Sequence, residues 1–162
     1  MQFETVHWHD PRAVSLRAAM DLETGALYAE RSAAQDAAGQ AAVSVALAID
    51  PASIVHTVIV LDESGMPVGH AALRPWKDEL EVKKVFITEE ARGRGLSRAL
   101  MTELERAAIG RGIPSLVLQT GNLQHAAIAL YESMGYKAID VYGLYSAIPF
   151  ALCYRKELVA NS

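Results

Sequence analysis

Apolar positions recur along this chain with two periods, and the change from one to the other lays out its elements. Phe3–Trp8 alternates and predicts a short first strand. Pro11–Ala29 has helical spacing, with Leu16, Ala19, Met20, Leu27 and Tyr28 available for one side and Gly25 weakening its later part. Ser32–Ala42, rich in alanine around Gly39, predicts a mobile loop or a marginal helix. Ile54–Leu61 is rich in β-branched residues and predicts a strand. The turn signal Asp62-Glu63-Ser64-Gly65 then sends Met66–Leu73 back as the second arm of an antiparallel hairpin. Glu81–Thr88 predicts another strand, with Val85 and Ile87 on one side and Phe86 on the other.

The clearest helix runs from about Gly95 to Ile109. Leu96, Leu100, Leu104 and Ala108 return every fourth residue, while Arg98, Glu105 and Arg106 lie off that stripe, and Gly110 and Gly112 end it. Ser115–Gln119 predicts a buried strand. Asn122 is placed to cap a helix that runs to Met134 and stops at Gly135. Tyr136–Asp140 and Phe150–Leu158 close the sheet. An antiparallel start followed by strand–helix–strand–helix–strand predicts an α/β fold: one domain over residues 1–162, with a mixed central β-sheet flanked by helices.

Composition narrows the function classes. At 162 residues, 51% hydrophobic and 21% charged, the chain belongs with globular proteins rather than disordered ones. Cys153, the single cysteine, excludes an internal disulfide and a cysteine-based zinc site. His7 and His9 share a strand face without a third ligand, so no metal is expected. Met1–Glu4 lacks the basic start and apolar run of a signal peptide, and the longest uncharged run, Ile113–Tyr131, is too polar to span a membrane. The expectation is a cytoplasmic protein. The net charge of −4 is uneven: residues 1–82 hold five basic and twelve acidic side chains, whereas residues 83–111 hold seven basic and four acidic. An acidic chain with one basic island is a poor nucleic-acid binder, and the island suits a small phosphorylated ligand. The acidic first half favours a cationic amine as partner.

That island contains the strongest chemical signal, Glu81-Val82-Lys83-Lys84-Val85-Phe86-Ile87 followed by Arg92-Gly93-Arg94-Gly95-Leu96-Ser97. A strand gives way to a glycine-rich turn that opens a long helix. Glycines admit an anion close to the backbone, the free N–H groups of the helix start point at it, and Arg92 and Arg94 add full charge. The pattern is a pyrophosphate cradle. It lacks the Gly-Lys-Ser/Thr of a Walker loop and the third glycine of a Rossmann fingerprint, which would fall at Arg98.

Arg92-x-x-Gly95-x-Ser97 resembles the Arg/Gln-x-x-Gly-x-Gly/Ala motif of the GCN5-related N-acetyltransferase (GNAT) family. The likeness continues in Leu118-Gln119-Thr120-Gly121-Asn122, in Ala129-Leu130-Tyr131-Glu132-Ser133-Met134-Gly135-Tyr136, and in Cys153-Tyr154-Arg155-Lys156-Glu157-Leu158. It covers about residues 54–158, with the cofactor-binding core at about 80–135. Ser97 departs from the motif's final glycine or alanine, and His125 stands where many relatives carry proline.

The resemblance implies an acyl-CoA N-acyltransferase fold with acetyl-CoA as co-substrate and no metal. It implies that coenzyme A lies along Val85, Phe86 and Ile87, with the acetyl carbonyl meeting the Val85 N–H. It places the pyrophosphate on Arg92, Gly93, Arg94, Gly95, Leu96 and Ser97, and brings Asn122 to the pantetheine arm. Tyr131 aligns with the family's general acid, which protonates the departing thiolate, and Glu81 with the general base of some members, with Glu79 and Asp78 as fallbacks. The implied activity is direct acetyl transfer to a primary amine of a small molecule or peptide, in a ternary complex. The alternative is a non-catalytic module that binds or senses acyl-CoA. Neither nucleic acid nor membrane is expected as a partner, and a homodimer is compatible with the ordinary frequency of such assemblies.

Overall fold

The computed structural model of the chain describes residues 1–158. Its strands are β1 (Gln2–Thr5), β2 (His56–Leu61), β3 (Pro67–Trp76), β4 (Glu79–Ile87), β5 (Ser115–Gly121), β6 (Lys137–Ile139) and β7 (Ala151–Glu157). The helices are α1 (Pro11–Leu27), α2 (Ala29–Ala34), α3 (Ala37–Leu47), α4 (Leu96–Gly110) and α5 (His125–Ser133). The strands form one mixed sheet in the order β1-β2-β3-β4-β5-β7-β6. β4 and β5 are parallel, and their neighbours pair antiparallel. A parallel pair needs a crossover, and α4 supplies it.

The four-residue stripe on α4 packs as the sequence predicts. Leu96, Leu100, Met101, Leu104 and Ala108 are buried against Val58, Val60, Leu73, Val82, Leu116 and Leu118. Ile87 and Val85 join that layer. Phe86 points the other way, into a cluster with Ala13 and Leu16 of α1 and Ile59 of β2. A third cluster seats Ala46 of α3 on Tyr145, Ile148 and Cys153, so the lone thiol is a buried packing group. The β2–β3 hairpin is present, its turn tied by Asp62 Oδ1, which accepts from the N–H groups of Ser64 and Met66 at 2.8 and 2.9 Å.

Of the two alternatives for Ser32–Ala42, a mobile loop or a marginal helix, the structure has helix: the end of α2 and the start of α3. The side chain of Asp36 caps α3 by accepting from Gly39 N–H at 2.7 Å, and the alanines behind it have the highest helix propensity of any residue. Asn122 does not cap α5. That helix begins at His125, with Gln124 at its cap position and no side-chain cap bond, while Asn122 Oδ1 instead accepts from the Arg31 guanidinium.

Candidate active site

The site is built on a break in the sheet. β4 and β5 pair only through Leu80–Leu116, Glu81–Val117 and Val82–Leu118. Beyond Val82 the two strands part. On its other edge β4 carries a bulge: the register with β3 steps from Ala72–Lys83 to His70–Phe86, leaving Lys84 and Val85 outside the pairing. Lys84 has φ 54°, in the left-handed region that costs a side-chain-bearing residue ~1–2 kcal/mol. The conformation is held from below. His70, fully buried, has Nδ1 2.9 Å from Lys84 O and Nε2 3.0 Å from Arg17 Nη1. A guanidinium only donates and a carbonyl only accepts, so Nδ1 carries the proton and His70 is the neutral tautomer. Burial agrees, pushing the imidazole down to about 4.

Two cavities open into the gap between the parted strands. The first, about 480 Å³, runs between β4, the start of α4 and α5. Of the sequence-predicted residues, Val85, Phe86, Ile87, Arg92, Gly93, Gly95, Leu96, Ser97 and Tyr131 line it; Arg94, Asn122 and Glu81 do not. Gly93 and Gly95 have φ 76° and 74°, and a Cβ on either meets no atom within 4 Å, so that ground is open. No side chain caps α4, whose first ladder bond runs from Ala99 N to Gly95 O. The preceding N–H groups therefore have no helical carbonyl partner. Uncapped donors, two left-handed glycines and a cavity at their face fit a pyrophosphate. Arg98, which the sequence reading passed over, also lines the cavity, and its Nη2 donates to Ser133 Oγ at 2.7 Å. Its signal was its place directly after the Arg-x-x-Gly-x-Ser run. Arg92 is held across the cavity mouth by both carboxylate oxygens of Glu23, at 2.7 Å.

Tyr131 is buried and lines this cavity, and burial alone pushes its phenol up to about 12. It is therefore protonated at neutral pH and has an O–H to donate. Glu81 stands elsewhere. Its side chain is 1% exposed and faces away from α4; Oε1 accepts from Arg74 Nε at 2.7 Å and Oε2 from the Tyr142 hydroxyl. It lines neither cavity. Glu79 is bound by Arg155 and Ser115, which hold its carboxyl below the usual range. Asp78 sits in the β3–β4 turn, outside both cavities. None of the three acids suggested by sequence lines either cavity.

The second cavity, about 590 Å³, lies between α1, α3 and the ends of β4 and β5. Lys84, Gln119, Thr120 and Gln124 line both cavities, so the two meet at the break in the sheet. Asp21 is the one carboxylate among the described residues that line the second cavity, and its Oδ1 lies 2.8 Å from Lys84 Nζ. Tyr28 and Phe150, stacked at 4.6 Å, form part of the wall. Gly121 makes this possible, since a Cβ there would lie 1.9 Å from the Tyr28 hydroxyl.

The first cavity thus offers an anion uncapped N–H groups and two left-handed glycines, and it shares residues with a second cavity beside a split in the mixed sheet. Comparison with known proteins assigns the family. The profile of the Acetyltransferase (GNAT) family matches residues 16–136, and the chain belongs to that family. It is 32% identical over 89 residues to N-acetyltransferase family 8 member 2 of Rattus norvegicus, covering 51% of this chain and 39% of the relative. It is 36% identical over 78 residues to an IAA acetyltransferase of Azospirillum brasilense, covering 48% and 51%. These matches thus span about two fifths to one half of the relatives' length. In structure the chain resembles a Klebsiella pneumoniae protein described as an acyl-CoA N-acyltransferase, with TM-score 0.77 and 26% identity over 98% of this chain and 97% of that one. The fold is shared with a GNAT family acetyltransferase of Elizabethkingia anophelis solved with acetyl-CoA bound, at TM-score 0.58 and 19% identity over 66% and 78%.

Proposed function

We propose that this protein transfers an acetyl group from acetyl-CoA to a primary amine, with the cofactor in the first cavity and the amine in the second. The observation that carries this reading is the meeting of the two cavities at Lys84, Gln119 and Thr120. A non-catalytic acyl-CoA sensor needs only the cradle; a second cavity opening on the same gap favours turnover.

Acetyl-CoA, when bound, supplies an activated carbonyl and a thiol leaving group. The chain's own residues do the rest. The N–H groups at the start of α4 and the Arg92 and Arg98 guanidiniums hold the phosphates. In this reading the backbone N–H of Val85, at the bulge, donates to the acetyl oxygen as it gains negative charge. His70, through Lys84 O, keeps the bulge in that arrangement. Tyr131 donates its O–H to the sulfur that leaves. Asp21 draws the acceptor's ammonium into the second cavity and takes its proton, directly or through water, a role the burial of Glu81 makes unsuitable for that residue. Glu81 instead fixes Arg74 and, through Arg74 and Tyr145, the ammonium of Lys83.

The test is thiol release from acetyl-CoA over a panel of amines, with the wild type and Asp21→Asn. Amine-dependent release, reduced at least about tenfold by Asp21→Asn with acetyl-CoA affinity retained, is expected. Binding of acetyl-CoA without release for any amine supports the sensor instead.

A further inference from the structure

The second cavity has a charge imbalance that its own residues do not remove. Lys83, on β4, lines it with only 8% of its side chain exposed. Its Nζ donates to the Tyr145 hydroxyl at 2.7 Å and lies 4.0 Å from Glu81 Oε1, beyond hydrogen-bond reach. An ammonium has three N–H donors, and Tyr145 accounts for one of them. Glu81 is already engaged by Arg74 at 2.7 Å and by Tyr142. One carboxylate thus faces two cations, the half-buried Arg74 and the buried Lys83, and of these three groups only Lys83 lines the cavity. The cavity's own carboxylate, Asp21, is paired with Lys84. A buried cation without a full counter-charge is costly, and burial here pushes the Lys83 ammonium down to about 8.

We propose that the acceptor is a primary amine that also carries a carboxylate, and that Lys83 is the specificity residue that receives this carboxylate while the amine lies toward the junction of the two cavities. The inference rests on the acetyl-transfer reading above and names its substrate class. The remaining walls suit it: Tyr28, Phe150, Leu47 and Met20 offer apolar contact to the acceptor's body. An amine without an anionic group leaves Lys83 uncompensated. The acidic first half of the sequence favours a cationic amine over a nucleic acid, and an amino acid keeps that ammonium; of those carboxylates Asp21 lines this cavity.

The experiment compares kcat/KM for L-phenylalanine, L-phenylalaninamide and phenethylamine, which share an aromatic body and differ in the carboxylate. Wild type is expected to favour phenylalanine by at least about tenfold, the scale of one charge-assisted hydrogen bond. Lys83→Met, which keeps chain length and removes the charge, is expected to collapse that preference; calorimetry with acetyl-CoA verifies that the variant is folded, and Lys83→Gln serves if it is not. No preference in the wild type, or an equal fall for all three acceptors, overturns the assignment of Lys83. A parallel readout does not need turnover. With CoA present, N-acetyl-L-phenylalanine should raise the melting temperature of the wild type more than N-acetyl-L-phenylalaninamide does, and Lys83→Met should erase the difference. If every amine fails to release thiol, the acetyl-transfer reading falls; if the two N-acetyl compounds stabilise the wild type equally, the carboxylate anchor falls.

Discussion

Replacing Tyr131 by phenylalanine removes one oxygen and leaves the ring packed in the α4 layer, where it meets Tyr136 edge-on at 5.8 Å. The size of the effect can be worked from its environment. Burial pushes the phenol up to about 12, with no charged neighbour contributing. A leaving thiol has a pKa of ~8.5, so complete proton transfer from Tyr131 to the thiolate is uphill by ~3.5 decades, or ~5 kcal/mol. In the proposed reaction the role expected of Tyr131 is therefore mainly that of a hydrogen-bond donor to the developing negative charge on sulfur. Such a bond to a charged group is worth ~1.5–3 kcal/mol, which converts to a fall in kcat of roughly 10- to 200-fold. That lies mostly below the ~10²–10⁴-fold range of full general acid catalysis and overlaps only its lower end. Stability should move little, because burial is the one influence on the phenol and no protein partner loses a bond. Acetyl-CoA affinity should change much less than kcat, since the phosphate contacts are untouched. The assay is single-turnover acetyl transfer by Tyr131→Phe, with calorimetry for acetyl-CoA. A rate within about twofold of the wild type refutes the donor role, and a loss of cofactor affinity as large as the loss of rate assigns the residue to binding.

Three further perturbations bear on the site. Gly95→Glu puts a side chain and a negative charge into open ground at φ 74°; strain of ~1–2 kcal/mol lowers the melting temperature by roughly 2–8 °C, and CoA binding by calorimetry weakens at least about tenfold. Unchanged affinity would remove the cradle from the account. His70 is buried neutral with its pKa lowered from 6.5 to about 4, so as pH falls the unfolded chain takes the proton first; its contribution is whole above pH 6.5 and lost progressively down to about 4. The loss amounts to up to ~3 kcal/mol, and urea midpoints across that window should fall more steeply for the wild type than for His70→Asn; parallel curves contradict the clamp. Gly121→Ala displaces the Tyr28 ring into the second cavity, so the acceptor KM should rise several-fold while acetyl-CoA affinity holds; equal losses in both would mean that the cavities are not separate.

Much of this molecule is legible in one dimension. The α4 stripe, the β2–β3 hairpin and the cradle are local patterns, each fixed by residues within a few positions of one another. Ser32–Ala42 is ambiguous in sequence between loop and helix because alanine and glycine hide periodicity, and the Asp36 side chain that accepts from Gly39 N–H favours the helix. Other features depend on register. Nothing near Lys84 announces a left-handed residue, since the bulge is held by His70, fourteen positions away on β3, and by Arg17 on α1. Glu81 reads as a free strand carboxylate until β3 brings Arg74 beside it and the segment before β7 brings Tyr142. Asn122 reads as a cap until Arg31 meets it. The second cavity has no sequence signature because its walls come from four separate parts of the chain.

The central claim is that the two cavities hold two substrates that react across the gap between β4 and β5. The most direct test incubates purified protein with acetyl-CoA carrying an isotopically labelled acetyl group and a panel of amines that includes carboxylated ones, and follows free CoA and labelled product by mass spectrometry. Amine-dependent transfer is expected, with one acetylated amine formed for each CoA released. Tight binding of acetyl-CoA with no labelled amine above the protein-free control, for any acceptor, would contradict it.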